Sequence, residues 1–148
     1  APRKSRYAAP PSFPSGAGGL VSTIDDYLRF CEMLRRGGEW GGHRILSRKT
    51  IELMTLNHLT DGERDVPMLT GWFPGQGFGL GFSVVEELAP GGTLGSVGQY
   101  GWGGAAGTYF WIDPVEDLVA ILMIQLYPPG GIPIIPELKN GVYQAITD

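Results

Sequence analysis

Residues 100–126 read Tyr100-Gly-Trp-Gly-Gly-Ala-Ala-Gly-Thr-Tyr-Phe-Trp-Ile-Asp-Pro-Val-Glu-Asp-Leu-Val-Ala-Ile-Leu-Met-Ile-Gln-Leu126, and this stretch decides the fold. Two apolar runs, Ala105 to Ile112 and Leu118 to Leu126, flank the turn-forming segment Asp113 to Asp117, a pattern typical of a β-hairpin. The run from Leu118 to Ile124 is apolar at every position, whereas a strand with one wet face alternates apolar and polar residues. The stretch therefore predicts an antiparallel hairpin whose second strand is covered on both faces.

Strands and helices are also predicted on either side of this hairpin. Before it, the chain is expected to form a strand from Phe78 to Val85 and a weaker one from Thr93 to Tyr100. The expected helices are one that Ser22 or Thr23 caps and Gly37-Gly38 ends, one that Ser47 caps, and one over about 134–147. In the first helix, the spacing of Ile24, Tyr27, Leu28, Cys31 and Leu34 predicts an apolar stripe.

This order predicts an α+β fold, an antiparallel sheet flanked by helices, in one incomplete domain. Residues 1–19 are expected to form an extended lead-in, residues 20–76 a helical segment with a long loop over 57–76, and residues 77–148 the sheet with the C-terminal helix. The chain supplies little that could cover one face of this sheet. A missing partner is therefore expected, either another part of the protein or another subunit.

Composition excludes several classes of function. Hydrophobic content of 43% and charged content of 18% are typical of a soluble globular domain. The net charge of -4 argues against a nucleic-acid partner, and no apolar run reaches the roughly 18 residues of a membrane span. The sequence leaves the compartment open. Cys31, the single cysteine, lies among apolar residues and is predicted to be a buried structural thiol.

A self-contained catalytic or cofactor site is not visible in the sequence. His43 and His58 lack metal-ligand spacing and are predicted to lie at the surface. No serine lies in Gly-x-Ser-x-Gly, since Ser96 has Leu94 in place of the first glycine, and no glycine-rich run matches a nucleotide-binding motif. The sequence therefore calls for no cofactor or metal.

The segment Tyr100 to Thr108 is the remaining candidate for a site, and the residues alone leave two interpretations open. It could be an edge strand with a glycine bulge and a packed tryptophan. Alternatively, its exposed backbone could line a cleft, where the absence of side chains at Gly103 and Gly104 would let a substrate lie against main-chain N–H groups.

Several segments, taken in order, resemble the serine β-lactamase-like family, which includes class C β-lactamases, D-amino-acid peptidases and bacterial esterases. Residues Ser15 to Phe30, with Gly-Gly-Leu-Val-Ser-Thr-Ile-Asp-Asp-Tyr-Leu-Arg-Phe, resemble its glycine-then-helix motif. Gly38 to Ser47, Phe78 to Phe82, and Gly101 to Ala105 with the Asp113-Pro114 hairpin are similar to its later segments. The resemblance covers nearly all of residues 14–148. It implies the C-terminal portion of the β-lactamase/transpeptidase-like fold.

The resemblance also implies which residues line the site. Trp102-Gly103-Gly104 occupies the place of the family's Lys-Thr-Gly or His-x-Gly triplet, and the N–H of Ala105 would be one oxyanion donor. A tryptophan triplet is similar to that of the family's esterases. Trp102 lacks the cation that a lysine offers to the carboxylate of a β-lactam, and this suits a neutral ester better. The expected substrate is a small ester or amide.

The family's Ser-x-x-Lys and Tyr-x-Asn or Tyr-x-Ser motifs are absent from this chain. In the family both lie N-terminal to the segment that Ser15 begins. We therefore expect no catalytic residue here, an isolated chain without activity, and a nucleophile supplied by an N-terminal part of the same fold. The alternatives are a non-catalytic binding or assembly module with the same half-fold, or a β-lactamase or D-amino-acid peptidase.

Overall fold

The structure is a computed structural model that describes residues 9–10, 12–16, 18, 20–60, 75–88, 90, 92–127 and 132–147. The structure contains helices and an antiparallel sheet, as the predicted α+β class requires. The elements in chain order are α1 (Ile24–Arg35), β1 (Glu39–Trp40), β2 (His43–Arg44), α2 (Arg48–Met54), β3 (Gln76–Phe78), β4 (Ser83–Val85), β5 (Tyr100–Gly103), β6 (Tyr109–Asp113), β7 (Leu118–Leu122) and α3 (Ile134–Gln144).

The main sheet has five strands in the order β3-β4-β5-β6-β7, and every neighbouring pair is antiparallel. Side chains of β6 alternate between the two faces. Phe110 and Ile112 enter a core shared with α1 and α2, whereas Trp111 and Asp113 meet Tyr143 of α3 on the opposite face. The sheet therefore lies between two helical layers, and the predicted hairpin around Asp113–Asp117 is confirmed.

The first helix begins and ends as the sequence predicts. The Thr23 hydroxyl accepts a hydrogen bond from the N–H of Asp26 at 3.2 Å, which satisfies one free N–H of the first turn. Of the predicted apolar stripe, Cys31 and Leu34 are fully buried, but Ile24 is 50% exposed and Leu28 is 41% exposed. The predicted burial of Cys31 is thus confirmed, and burial raises the pKa of its thiol to about 12, which disfavours the reactive thiolate.

The predicted strand Phe78 to Val85 is wrong, since this segment forms two strands joined by a tight turn. Hydrogen bonds pair β3 with β4 in a hairpin, which the Gly79 N–H closes by donating to the Phe82 carbonyl at 2.8 Å. Gly81 in the turn has a φ of 99°, a conformation that L side chains rarely adopt. The apolar residues on either side concealed this reversal.

The predicted strand Thr93 to Tyr100 is also wrong. Residues 93–99 form a loop, and β5 begins only at Tyr100. The Gln99 N–H donates to the Ser96 carbonyl at 3.2 Å within this loop. The Gly98 N–H donates to the Val85 carbonyl and the Val85 N–H to the Gln99 carbonyl, both at 2.8 Å, so Gly98 and Gln99 together oppose Val85 in a β-bulge instead of a regular strand. Likewise, residues 105–108, predicted as strand, form the turn between β5 and β6, and β7 ends at Leu122 instead of Leu126.

Strand β7 lies at the end of the sheet order, and each of its five residues is half-buried. The described residues therefore do not give it the two-sided cover that its apolar sequence predicts. The proposed boundaries of the lead-in, the helical segment and the sheet stay a prediction. Most of the lead-in and of the predicted 57–76 loop lies outside the described residues.

A buried polar network joins the sheet to α3. Asp113, fully buried, accepts hydrogen bonds at Oδ1 from the N–H groups of Val115 (3.0 Å) and Glu116 (3.3 Å). The Tyr143 hydroxyl lies 2.7 Å from Asp113 Oδ2, to which it donates, and accepts a hydrogen bond from Trp111 Nε1 at 3.2 Å. The network therefore fixes the β6–β7 turn and α3 to the same carboxylate.

Lys139 of α3 is 5% exposed and places its ammonium 5.8 Å from the centre of the Trp111 ring. Burial lowers the pKa of Lys139 to about 8, against an opposing effect of the Asp113 charge. The folded protein therefore releases this proton above pH 8, whereas the unfolded chain retains it until about pH 10.4.

Stability should consequently rise with pH between 8 and 10, by about 2 kcal/mol, because in this window the unfolded state binds more protons than the folded state. The measurement is the free energy of unfolding in urea at pH 7, 8, 9 and 10 for the wild type and Lys139→Met. Subtracting the variant removes contributions from the tyrosines and other groups. A difference that stays constant with pH would show that Lys139 does not titrate in this window.

Candidate functional site

The four residues predicted to line a site lie together at the end of β5. Trp102 and Gly103 are its last two residues, and Gly104 and Ala105 begin the turn that leads to β6. The Gly107 N–H donates to the Gly104 carbonyl at 3.0 Å, which makes Ala105 the second residue of a four-residue β-turn. We call Trp102, Gly103, Gly104 and Ala105 the Trp102 wall.

Strand β5 is not an edge strand, because β4 and β6 lie on its two sides. Its pairing with β4 nevertheless stops at Gly101 opposite Ser83, while its pairing with β6 continues to Gly103 opposite Tyr109. The interpretation as a bulged edge strand is therefore wrong for β5 as a whole. Among the described residues, the ladder with β4 does not extend to the last two residues of β5.

Along a strand, the main-chain N–H and C=O groups of successive residues point alternately to the neighbouring strand on one side and to the opposite side. For β5 these are the side of β6 and the side of β4. The Gly104 N–H donates to the Thr108 carbonyl at 2.8 Å, on the β6 side. By this alternation, the N–H and C=O groups of Gly103 point to the open side. In the described part of the chain, the N–H of Ala105 has no hydrogen-bond acceptor, and Ala105 is exposed. The wall thus directs the Gly103 N–H to the open side and carries the Ala105 N–H in the exposed turn that follows.

The Trp102 side chain lies on the face of the sheet that carries Tyr100 and Phe110, and it is half-buried against the core. The Phe78 ring meets the Trp102 ring edge to face, with centroids 4.8 Å apart and planes at 85°. This geometry is favourable for two aromatic quadrupoles. The indole is therefore held by packing as well as by its strand.

Three residues of the Trp102 wall, Trp102, Gly103 and Gly104, line a groove of about 670 Å³, and Ala105 follows them directly in the chain. Aromatic side chains form much of its surface, and none of the described residues that line it is charged. Its aromatic lining residues are Tyr27, Phe30, Phe82, Trp102, Tyr109 and Phe110. Burial raises the pKa of Tyr109 to about 12 and raises that of Tyr27 as well, so both phenols stay neutral at ordinary pH.

The other candidate residues lie away from this groove. His43 and His58 are exposed, as predicted, and His58 Nε2 lies 2.8 Å from the Leu53 carbonyl oxygen. No cluster of three or more His, Cys, Asp or Glu side chains suited to a metal ion is found among the described residues. The described helices also include none that is long and apolar enough to cross a membrane.

The sequence prediction missed the helical contribution to the groove. Tyr27 and Phe30, three residues apart on α1, lie on one face of the helix, and their rings stand 5.5 Å apart. Both approach Phe110 on the sheet, at 5.2 Å and 6.5 Å. Their spacing was visible, but nothing local indicates that this pair faces the Trp102 wall.

Comparison with known proteins gives a consistent result. The Beta-lactamase family model matches residues 1–134. Protein Rv1367c of Mycobacterium tuberculosis is 42% identical over 126 residues, 82% of this chain and 31% of that protein. Esterase EstB of Burkholderia gladioli is 26% identical over 140 residues, 94% of this chain and 33% of that protein.

Among solved structures, EstCE1, a hydrolase with promiscuous acyltransferase activity, aligns with a TM-score of 0.73 and 28% identity, over 89% of this chain and 32% of its own. The helices and sheet described above therefore form part of the β-lactamase-like fold, as the resemblance implied. The chain spans about a third of the length of these three proteins.

Proposed function

The chain belongs to the Beta-lactamase family, and from this we propose that it is the C-terminal part of a carboxylesterase-type serine hydrolase. The nucleophilic serine and its activating lysine lie on another part of the same fold, outside these 148 residues. This chain contributes the Trp102 wall. EstB, which is an esterase by name, and EstCE1, described as a hydrolase, support this choice within the family.

The observation that carries the choice of substrate is the uncharged surface beside the Trp102 wall. A site that binds a substrate carboxylate needs a cation or several aligned donors, because an unpaired charge is costly to desolvate. The described lining offers aromatic faces, glycine backbone and a few neutral polar groups. These groups suit a neutral ester better than a β-lactam or a peptide that ends in a carboxylate.

In the proposed reaction, the serine Oγ attacks the ester carbonyl carbon while its proton passes to the activating base. The carbonyl oxygen becomes an anion in the tetrahedral intermediate, and the Ala105 N–H donates a hydrogen bond to it. The intermediate collapses, the alcohol leaves with a proton, and the acyl group stays on serine. Water then hydrolyses this acyl-enzyme through a second tetrahedral intermediate and regenerates the serine.

Trp102→Ala in the complete protein should change the preference among p-nitrophenyl esters. Removal of the indole deletes an apolar contact worth about 1.5 kcal/mol, so the ratio of kcat/KM between butyrate and acetate esters should change roughly tenfold. The measurement is kcat and KM for a series of acyl lengths. Trp40→Ala is a matched control, since Trp40 also packs on the core but lies outside the groove.

Three results would count against the proposal. Unchanged kinetics for every ester in Trp102→Ala would remove Trp102 from the site. A burst of p-nitrophenol from the isolated 148-residue chain, which serves as the negative control, would show that the nucleophile is in this chain after all. Hydrolysis of a cephalosporin in preference to all esters by the complete protein would favour the β-lactamase alternative.

A further inference from the structure

Asn57, just beyond the end of α2, joins three parts of the chain through its side chain. Its Oδ1 accepts hydrogen bonds from the N–H groups of Phe78 at 3.1 Å and Leu59 at 3.0 Å. Its Nδ2 donates to Glu86 Oε2 at 2.9 Å. A single amide thus holds the N–H of Phe78 from one side and the carboxylate that follows β4 from the other.

Two further contacts lock this arrangement. The His58 N–H donates to the Phe78 carbonyl at 2.9 Å, so both main-chain groups of Phe78 are bound by residues 57 and 58. Gly77, which is buried, leaves room for the amide, because a Cβ there would lie 2.2 Å from Asn57 Cγ. Since no larger residue at 77 would accommodate it, the glycine and the asparagine form one fitted contact.

The residue held in this way is the one whose ring meets Trp102. Phe78 lies at the end of β3, and its ring centroid is 4.8 Å from that of Trp102 in an edge-to-face contact. A shift of the Phe78 main chain would move this ring and change the space available to the indole. The hydrogen bonds of Asn57 therefore affect the position of Trp102 indirectly, through Phe78.

We propose that Asn57, oriented by Glu86, is a positioning residue for Trp102, and that it determines through Phe78 how bulky an acyl group fits beside the Trp102 wall. The first half concerns the structure alone. The second half rests on the proposed function. Neither residue touches the groove, so neither is a catalytic residue.

The structure provides a rescue experiment. Asn57→Asp keeps the acceptor for Phe78 and Leu59 but replaces the donor to Glu86 with a second carboxylate oxygen, which repels it. Glu86→Gln alone keeps an oxygen that can accept from Asn57. The double variant restores a bond of reversed polarity, in which the introduced glutamine amide donates to the introduced aspartate carboxylate. Asn57→Asp should therefore disturb the position of Trp102 when Glu86 is present, and it should disturb that position little in the Glu86→Gln background.

The first readout is the near-ultraviolet circular dichroism of Trp102 in the complete protein, taken as the difference from Trp102→Phe in each background. It should fall by about half in Asn57→Asp and return in the double variant. The second readout is kinetic. KM for the bulkier p-nitrophenyl esters should rise roughly fivefold, the size expected for one lost hydrogen bond, while kcat is unchanged because the acyl group loses its contacts equally in the ground state and the transition state.

An Asn57→Asp effect of equal size in both backgrounds, or an unchanged Trp102 signal, would overturn the positioning role. Phe78→Leu keeps the main-chain bonds but removes the ring, so it should alter the Trp102 signal even if Asn57→Asp does not fold, and an unaltered signal there also overturns the role. If the signal responds as expected while no ester kinetics change in any variant, the positioning of Trp102 stands and its effect on the acyl group is overturned. If the complete protein hydrolyses no ester at all while the signal responds, the positioning of Trp102 stands and the proposed function fails.

Discussion

A proline in place of Ala105 should lower kcat for p-nitrophenyl ester hydrolysis by the complete protein about 100- to 1000-fold, the usual effect of removing one oxyanion donor. Proline has no N–H, so the variant deletes the Ala105 donor and adds only a small ring. The turn should survive, because Ala105 is the second residue of the Gly104–Gly107 β-turn, where proline is favoured. The loss should appear in kcat more than in KM, since the donor acts on charge that develops in the transition state.

Ala105→Ser is the matched control. It changes the side chain but keeps the main-chain N–H, and it should stay within a few-fold of the wild type. A thermal unfolding midpoint close to that of the wild type would show that Ala105→Pro retains its fold. If the proline variant retains full activity, the Ala105 N–H does not stabilise the oxyanion and the site lies elsewhere.

The sequence predicted elements that depend on local signals. The Thr23 cap, the Ser47 cap, which accepts from the Thr50 N–H at 3.0 Å, and the turn at Asp113 each rest on side chains that bond to main chain within three residues. Such bonds join residues that are close in sequence and are favoured at helix starts and turns. For that reason the helix starts and the β6–β7 hairpin could be predicted from a single sequence.

Elements that depend on distant contacts were predicted poorly. The reversal at Gly79 is stabilised from outside the segment, since the Leu80 N–H donates to the Met54 carbonyl at 2.9 Å. Apolar residues on both sides of this turn match a continuous strand equally well, so hydrophobic pattern alone could not separate the two. The same holds for β5, whose glycines carry no hydrophobic pattern at all.

The same difference between local signals and distant contacts applies to the candidate site. Trp102 to Ala105 could be singled out from their composition and from a resemblance, and the structure places them at the end of β5 and the start of the next turn, with the first three lining a groove. The contacts of Asn57 could not be predicted from the sequence, because its partners Phe78 and Glu86 lie 21 and 29 residues further along the chain. Contacts at that separation are properties of the folded chain and have no local sequence pattern.

Asp113→Ala should lower the free energy of unfolding by about 3 kcal/mol. The fully buried carboxylate accepts from two main-chain N–H groups and from the Tyr143 hydroxyl. Alanine removes all three bonds, so the Tyr143 hydroxyl and the two N–H groups of the turn lose their acceptor. Hydrogen bonds to a charged group contribute about 1.5–3 kcal/mol each, and part of this loss is offset by no longer burying the charge.

Urea denaturation, monitored by tryptophan fluorescence, measures this effect. Two further variants are measured for comparison. Glu116→Ala removes an exposed carboxylate from the same turn and should change the free energy of unfolding by less than about 0.5 kcal/mol. Tyr143→Phe removes one of the three donors and should cost about 1 kcal/mol. The three costs should therefore increase from Glu116→Ala to Tyr143→Phe to Asp113→Ala. A cost for Asp113→Ala no larger than that of Glu116→Ala would mean that α3 and the β6–β7 turn are held by packing alone, because the buried network would then contribute nothing.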